Sequence, residues 1–400
     1  MGAWVRPVRR GWVVRDEVPG PDVDEFAEPE RVVAALAEGQ AARRTLLAVQ
    51  HPHRTPDARA AGLGLTDALP IARSVLSVLL RTAYRPVEDV VAAYAVDGPD
   101  GSATGLLCLV DPAAVGPGGR RRVRHTEEVY PDVVAERAEV LAGLGSLTSA
   151  ALLVPVTDTD RLTPTVRDVI DGAGPAAVST VDSGGRRHRL WLLGPGPDRE
   201  HLLALAASAP LLVADGNHRV AAAATAGLDG MLALVTAGPD LRIGAFHRVL
   251  TGTGLDAGAL TTSWHRAGLE IRDASVDAVP VPGQVLVRCP GGTFVVELPP
   301  PDAGQPVPRI DHAVVENLLL DKVLGIDPEG PRVRPLPAGR QPSTSVDAVL
   351  ELAPVPLADV LAVHRAGLRM PRKSTFFTPK PRSGLLLAEL PPRGLHSTND

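Results

Sequence analysis

The sequence predicts an α+β fold, with helices and strands mixed in irregular order (mixed α/β). Apolar residues recur at helical spacing over 66–82 and 311–324, whereas short apolar runs such as 231–235 are typical of buried strands. Turn signals separate neighbouring strand-like runs, as at Gly291-Gly292, and indicate hairpins. Hairpins interspersed with helices favour this class over a regular βαβ repeat.

Composition narrows the functional classes. The 400 residues suffice for two or three domains, and with 3% aromatic residues the core must be packed by Ala, Val and Leu. A net charge of -5 argues against non-specific nucleic-acid binding. The two cysteines, Cys108 and Cys289, lack the spacing of metal ligands or of a disulfide framework. We find no signal peptide or membrane-spanning run and expect a cytoplasmic protein without a membrane partner.

The individual elements follow in chain order. Strands are predicted at 12–14, 45–49, 90–96, 104–110, 150–154, 186–193, 211–213, 231–235, 243–250, 285–289, 293–298 and 346–352. Helices are predicted at 30–40, 66–82, 132–142, 198–208, 258–270, 311–324, 357–366 and after Gly216. The strands 90–96 and 104–110 should pair around an Asp97-Gly98 turn, 299–308 should be a Pro-rich linker, and residues from Pro391 onward a frayed tail.

The most informative stretch is the junction Asp215-Gly216-Asn217-His218-Arg219, which we call the Asp215 corner. It lies between an apolar strand and an alanine-rich helix. Unpaired N–H groups and the positive end of the helix dipole suit a phosphate or carboxylate there. Arg219 adds a cation, His218 a titratable donor, and Asp215 a ligand for metal or an acceptor for a hydroxyl proton. The competing interpretation is that Asp215 only caps the helix.

Two further stretches carry candidate chemistry. Arginines at 120–122 precede Glu127, which we interpret either as a base or metal ligand beside an anion site, or as part of a charged surface loop. The basic stretch 370–385 is interpreted as a phosphate clamp or as a structured basic loop. Its candidate ligand groups are Lys373, Ser374, Thr375, Lys380, Arg382 and Ser383. His51 and His53 are spaced for a metal, but a solvated turn is favoured because Pro52 breaks the chain there.

Three motifs together resemble one prokaryotic family, known as domain of unknown function ten-fifteen. They are the Asp215 corner, the run from Met370 to Leu385 and the run Arg187-His188-Arg189-Leu190-Trp191. The resemblance extends from about residue 21 to Leu387. The family resembles free L-serine kinases with a ParB/sulfiredoxin-like core, which implies Mg²⁺, ATP or ADP as phosphate donor, and phosphoserine as product.

The resemblance also implies site residues and shows departures. Asp215, Glu127 and His218 would be catalytic, with Asp215 also holding the metal. The nucleotide and its phosphates would contact Gly216, Asn217, Arg219, Arg248, Lys373, Ser374, Thr375, Lys380, Arg382 and Ser383. Asn217 replaces the first of two family histidines, Thr126 occupies the histidine position before Glu127, and Val23 replaces a tyrosine of the N-terminal loop. Glu136-Arg137 falls where the family has Asp-Arg.

Our leading hypothesis is a nucleotide- and Mg²⁺-dependent kinase that acts on a small hydroxylated metabolite, with L-serine as the first candidate substrate. The alternative is a non-catalytic ParB-like nucleotide-binding regulator, although no DNA-binding module is evident. We expect three regions: 1–175 with the Glu127 loop, 176–298 with a ParB-like core, and 309–390 with the basic motif. We also expect the candidate side chains of these regions to converge in space. The oligomeric state is left open.

Overall fold

The computed structural model describes residues 3–23, 29–156, 160–236, 241–301, 304, 307–342 and 346–390. The predicted tail from Pro391 lies outside the described residues, as do parts of the acidic loop near residue 25 and of the linker 299–308. The chain forms two compact units. Unit 1 comprises 1–125, 129–242 and 378–400, and unit 2 comprises 126–128 and 243–377. The three-region division predicted from the sequence follows chain order only, and it stays a prediction.

Unit 1 contains a mixed sheet of twelve described strands. Along its main path the neighbours are Val123–His125, Leu211–Asp215, Ala151–Pro155, Met231–Val235, Gly101–Val110, Tyr84–Gly98, Val8–Val14, Leu386–Glu389 and Ser146–Leu147. Three more strands branch from this path: Val5–Arg6, Val178–Val181 and Arg187–Leu193. Strand Leu211–Asp215 runs parallel to Val123–His125 and antiparallel to Ala151–Pro155. It therefore lies inside the sheet, and its first four residues are buried.

The helices of unit 1 pack their apolar residues against this sheet or against one another. They are Pro29–Ala37, Ala41–Arg44, Leu46–Gln50, Pro56–Ala60, Leu69–Thr82, Pro131–Leu144, Leu162–Gly172, Pro197–Ala206 and Asn217–Thr225, with 3₁₀ turns at Pro52–Arg54 and Pro117–Gly119. The core is built almost wholly from Val, Leu and Ala, as the composition predicts. Helix Pro131–Leu144 packs Val134 and Ala138 against Ala221 and Ala222 of helix Asn217–Thr225. This contact fixes one side of the Asp215 corner.

Unit 2 contains a six-stranded antiparallel sheet. The strand order is Ile271–Asp273, Gly292–Glu297, Gln284–Cys289, Ala348–Glu351, Phe246–Leu250 and Val333–Pro337. Its helices are Ala257–Arg266, Leu357–Arg365 and a segment that starts as an α-helix at Asp311–Val314 and continues as a π-helix over Val315–Leu324. Trp264 is fully buried in this core, where its indole N–H donates to the carbonyl of Leu319 at 3.2 Å.

Strands Arg242–Gly244 and Phe376–Thr378 contain the positions where the chain passes from one unit to the other. The predicted mixed α/β class is confirmed, while the ParB/sulfiredoxin-like character of the core stays a prediction. Among the described residues no helix is both long and apolar enough to cross a membrane.

Two local predictions are wrong. The predicted strand 45–49 is the helix Leu46–Gln50, because the Thr45 side chain accepts the N–H of Ala48 and caps it, so that the apolar run is buried as a helix. The hairpin of Tyr84–Gly98 and Gly101–Val110 does form, but Asp97 pairs with Ser102 and Gly98 with Gly101. The turn therefore lies at 99–100, since the cross-strand ladder continues through the dipeptide that looked like a turn.

Candidate functional site

The Asp215 corner forms where the sequence predicts it. Strand Leu211–Asp215 ends at Gly216, whose φ of 95° lies in the left-handed region, and helix Asn217–Thr225 follows. A Cβ at Gly216 would lie 2.9 Å from Nε of Arg219. The backbone angle thus favours glycine, and a Cβ here would also displace the guanidinium of Arg219. The turn brings Asp215 and Arg219 onto the same side of the first helical turn.

Asp215 forms ion pairs with two cations. Its Oδ2 accepts from Nη2 of Arg219 at 2.6 Å, and its Oδ1 accepts from Nζ of Lys380 at 2.8 Å. Arg219 also donates through Nη1 to the carbonyl of Ala150 at 2.8 Å. All three charged side chains are only partly exposed. One carboxylate between two cations leaves an excess of positive charge at a helix N-terminus, which suits an anion.

Asn217 and His218 bond to neighbouring elements of unit 1. Oδ1 of Asn217 lies 3.2 Å from Nδ1 of His125. Nε2 of His218 accepts the backbone N–H of Tyr130 at 3.1 Å, and the two rings stack with centroids 5.7 Å apart. Because Nε2 accepts a hydrogen bond, the proton of the neutral imidazole is on Nδ1. His218 in this arrangement orders the chain entering helix Pro131–Leu144.

The segment 378–383, which we call the basic segment, carries Lys380 and meets the N-terminal acidic loop. Nη2 of Arg382 donates to the carbonyl of Gly20 at 2.8 Å. The N–H of Ser383 donates to Oδ2 of Asp22 at 2.7 Å, and both residues are buried. The Ser383 backbone, rather than its hydroxyl, makes this contact. The basic segment is therefore bonded to the N-terminal loop within unit 1.

Arg137 links the corner to His51 and His53, because it interacts with Arg219 and, in addition to burial, its positive charge lowers the pKa of both histidines. Desolvation and the positive charge of Arg219 lower the pKa of Arg137. Burial and the charge of Arg54 lower the pKa of His51 to about 3, and the same causes lower that of His53. The favoured interpretation of a solvated turn at 51–53 does not fit, because Pro52 is buried and both histidines are partly buried. The one sequence feature that pointed to Arg137 is that Glu136-Arg137 falls where the family has Asp-Arg.

In unit 2, Glu127 holds the loop that carries Lys373. Its Oε2 accepts the N–H of Lys373 at 3.0 Å, and its Oε1 accepts the N–H of Ser374 at 3.2 Å and the hydroxyl of Thr375 at 3.4 Å. Burial raises the pKa of Glu127 against the opposing effect of Lys373 and these hydrogen bonds. The carboxylate is directed at the chain itself, which does not favour a role as general base.

Arg248 holds the same loop from its carbonyl side. Its guanidinium donates to the carbonyls of Arg372 and Lys373 at 3.0 and 3.1 Å, and to Oε1 of Glu316 at 2.8 Å through Nε. Arg248 is 2% exposed, so these bonds engage it inside the unit and disfavour the phosphate contact predicted for it. Lys373 has a φ of 53°, and its Nζ lies 5.4 Å from the ring centroid of Phe246.

The residues do not fit a preformed magnesium site. Among the described residues no group of three or more His, Cys, Asp or Glu side chains is placed to hold a metal ion. Both carboxylate oxygens of Asp215 accept from cations, so a metal ion bound there would be repelled by the positive charges of Arg219 and Lys380. We therefore derive no step through a metal.

The predicted site residues thus form two groups. Unit 1 brings together Asp215, Arg219 and Lys380, with Gly216, Asn217 and His218 in the same turn and with Arg382 and Ser383 farther along the basic segment. Unit 2 brings together Glu127, Arg248, Lys373, Ser374 and Thr375. Convergence of the whole set stays a prediction, as do the roles of the individual residues.

Residues 87–267 match the model of a family described as "Protein of unknown function (DUF1015)". The resemblance to this family is confirmed. The matched range includes Glu127, the motif around His188 and the Asp215 corner, and excludes the basic segment. No curated protein matches the sequence.

Several solved structures show a distant likeness. A mutant free serine kinase in complex with ADP has a TM-score of 0.40 and 12% identity, over 72% of this chain and 92% of that chain. SbnI from Staphylococcus aureus, truncated at its C-terminus, has a TM-score of 0.42 and 14% identity, over 74% and 90%. A conserved hypothetical protein from Pyrococcus furiosus has a TM-score of 0.37 and 12% identity, over 69% and 93%. Likeness at this level assigns no activity.

Proposed function

We propose that the protein is a nucleotide-dependent phosphotransferase that phosphorylates a small hydroxylated metabolite, with free L-serine as the first candidate. The observation that carries the proposal is the Asp215 corner, where Arg219 and Lys380 flank one carboxylate at a helix N-terminus. The choice of serine rests on the resemblance to the family.

The chemistry of phosphoryl transfer suits such a corner. The bond from phosphorus to the bridging oxygen of the nucleotide breaks, and the nucleotide leaves one phosphate shorter. A bond from phosphorus to the acceptor oxygen forms, the hydroxyl proton is released to water, and negative charge is spread over the oxygens of the transferred group. The protein must position the reactants and supply positive charge. In our proposal Arg219, Lys380 and the helix N-terminus bind the phosphates. Asp215 holds the two cations in place, since its oxygens are engaged by both of them.

The test is a transfer assay with purified full-length protein. ATP or ADP is incubated with L-serine, with and without Mg²⁺, and phosphoserine is detected by mass spectrometry. We expect phosphoserine with at least one donor. Nucleotide binding without transfer to serine or to other small hydroxylated amines and acids would contradict the kinase and leave a nucleotide-binding regulator. Absence of nucleotide binding would contradict both.

Two substitutions locate the site. We expect Asp215→Asn to abolish turnover in a folded protein, because Arg219 and Lys380 lose the charge that aligns them. We expect Lys380→Ala to weaken nucleotide binding about tenfold or more, the loss expected for one charge-assisted hydrogen bond. The exposed Lys322 provides the control Lys322→Ala, which should bind nucleotide normally. Turnover at the wild-type rate in Asp215→Asn would refute the role given to Asp215.

A further inference from the structure

The motif 187–191 has no role in the proposed function, yet it contains a buried histidine connected to the basic segment. We propose that His188 is a positioning residue: acting through Tyr94, it fixes the backbone at Arg382 and thereby holds Lys380 against Asp215. The part of this inference that concerns nucleotide affinity rests on the proposed function. The hydrogen-bond chain itself can be tested without it.

The chain of contacts is continuous within unit 1. Nε2 of His188 lies 3.2 Å from Oδ2 of Asp182, and Nδ1 of His188 lies 2.8 Å from the hydroxyl of Tyr94. The backbone N–H of Arg382 donates to the same hydroxyl oxygen at 3.4 Å. Tyr94 is fully buried and His188 is 1% exposed. Water therefore does not compete for these groups, and each must be satisfied by the others.

Asp182, at one end of this series of hydrogen bonds, determines which group donates in each of them. Oδ1 of Asp182 accepts the N–H of Arg186 at 2.9 Å, and its Oδ2 also accepts from the Arg186 guanidinium at 3.2 Å. These bonds and His188 lower the pKa of Asp182 despite its desolvation, so the group is an acceptor only. Nε2 of His188 must then carry the proton that is donated to Asp182.

With its proton on Nε2, the neutral imidazole has an acceptor at Nδ1. Burial lowers the pKa of His188 in spite of Asp182, with Arg382 and Arg186 acting in the same direction as burial, and burial raises the pKa of Tyr94. Tyr94 therefore donates its hydroxyl proton to Nδ1, and its oxygen is left as an acceptor aimed at the N–H of Arg382. The opposite tautomer would place two acceptors, Nε2 of His188 and Oδ2 of Asp182, face to face.

The other end of the hydrogen-bond chain is Arg382, in the segment that carries Lys380. The hydroxyl of Thr378 donates to the carbonyl of Asp100 at 3.0 Å, and the N–H of Ser383 donates to Asp22 at 2.7 Å. Between these two attachments, the Tyr94 contact fixes the chain two residues after Lys380. Loss of this contact leaves the Lys380 ammonium free to move relative to Asp215, with a loss of preorganisation for an anionic ligand.

Tyr84 provides a matched control. It is also a fully buried tyrosine of the same strand, but its hydroxyl has no hydrogen-bond partner among the described residues. Tyr84→Phe and Tyr94→Phe remove the same atom from similar surroundings, and only Tyr94→Phe breaks the chain. Any difference between the two variants beyond general stability thus reports the hydrogen bond to Arg382.

The first experiment detects the hydrogen bonds from His188 to Arg382 directly in the full-length protein. Histidine-selective ¹⁵N NMR should show Nε2 of His188 protonated and Nδ1 unprotonated. Tyr94→Phe should speed exchange of the Arg382 amide about tenfold, the equivalent of one hydrogen bond, whereas Tyr84→Phe should not. A proton on Nδ1 of His188, or equal exchange in both variants, would overturn the proposal even if the protein is a kinase.

The second experiment uses nucleotide binding and turnover. We expect Tyr94→Phe and His188→Gln to raise the Kd and KM for nucleotide about tenfold with a smaller effect on kcat, while Tyr84→Phe retains the wild-type values. Unchanged nucleotide affinity in a folded Tyr94→Phe variant would overturn the positioning role. If the wild type binds no nucleotide, the proposed function fails, and the tautomer and amide exchange still decide whether the hydrogen-bond chain exists.

Discussion

Glu127 looks like a catalytic residue in the sequence, but in the structure its side chain holds a loop in place. It follows a basic cluster and precedes a helix, a position in which a carboxylate could act as a base. In the structure both of its oxygens accept hydrogen bonds from the loop 373–375. Arg248 bonds to the carbonyls of the same loop. The carboxylate of Glu127 thus binds N–H groups and the guanidinium of Arg248 binds carbonyl groups of one backbone segment, in which Lys373 adopts a positive φ.

Glu127→Gln tests this role. A glutamine offers an N–H₂ donor in place of one acceptor oxygen, so one backbone N–H of the loop loses its partner. We expect the free energy of unfolding to fall by about 1–2 kcal/mol in urea denaturation, the cost of one unsatisfied buried donor. Glu128→Gln is the control, because the Glu128 side chain is 65% exposed and lies 3.9 Å from Arg372. Equal stability of the two variants would show that Glu127 does not hold the loop.

The strand–turn–helix element 211–225 combines three local requirements. The strand is buried between two neighbours, Gly216 reverses the chain with a positive φ, and the alanine-rich helix packs closely on Pro131–Leu144. Small side chains allow that close packing and also favour the helix. The element therefore presents Asp215 and Arg219 from a rigid turn, where the two side chains are paired.

Gly216→Ala should disturb both the turn and the site. Alanine at position 216 must adopt a left-handed backbone conformation, and its Cβ would lie 2.9 Å from Nε of Arg219. We therefore expect the free energy of unfolding to fall by about 1–2 kcal/mol or more and nucleotide binding to weaken. Gly227, at the end of the same helix, also has a positive φ but nothing within 4 Å of its Cβ position. Gly227→Ala should therefore show backbone strain with normal binding. Normal binding in Gly216→Ala would contradict the proposed placement of Arg219.

Across the whole molecule, buried neutral histidines couple stability to pH. His51 in unit 1 and His312 in unit 2 each have a pKa lowered to about 3, mainly by burial, with a nearby arginine acting in the same direction. His312 is fully buried, and its Nε2 donates to the carbonyl of Phe246 at 2.9 Å. Such groups are held neutral in the folded protein and take up a proton only when it unfolds.

The sign of the pH effect follows from these shifts. Above the unfolded-state pKa of 6.5 neither state binds the proton, and below it only the unfolded state does, so stability falls with decreasing pH until about 3. We expect each of the two histidines to contribute a slope of about 1.4 kcal/mol per pH unit across this window. Urea denaturation between pH 7 and 5 should give a smaller loss for His312→Gln than for the wild type. Exposed His265→Gln should keep the wild-type slope, and an unchanged slope in His312→Gln would contradict the assignment.

The sequence by itself determined the features that depend on neighbouring residues. The mixed class and the turn at Gly216 follow from apolar spacing and from the backbone freedom of glycine, and the helix after the turn follows from its alanines. Thr45 shows the limit of such reasoning, because the buried apolar run of four residues that follows it fits a strand or a helix, and only capping and packing selected the helix. The pairing of Lys380 with Asp215, the bonds of Glu127 to the loop at 373–375 and the chain from His188 to Arg382 were decided by the tertiary structure. These contacts join residues far apart in sequence, and local preferences carry no information about which distant side chains the packing of a core will bring together.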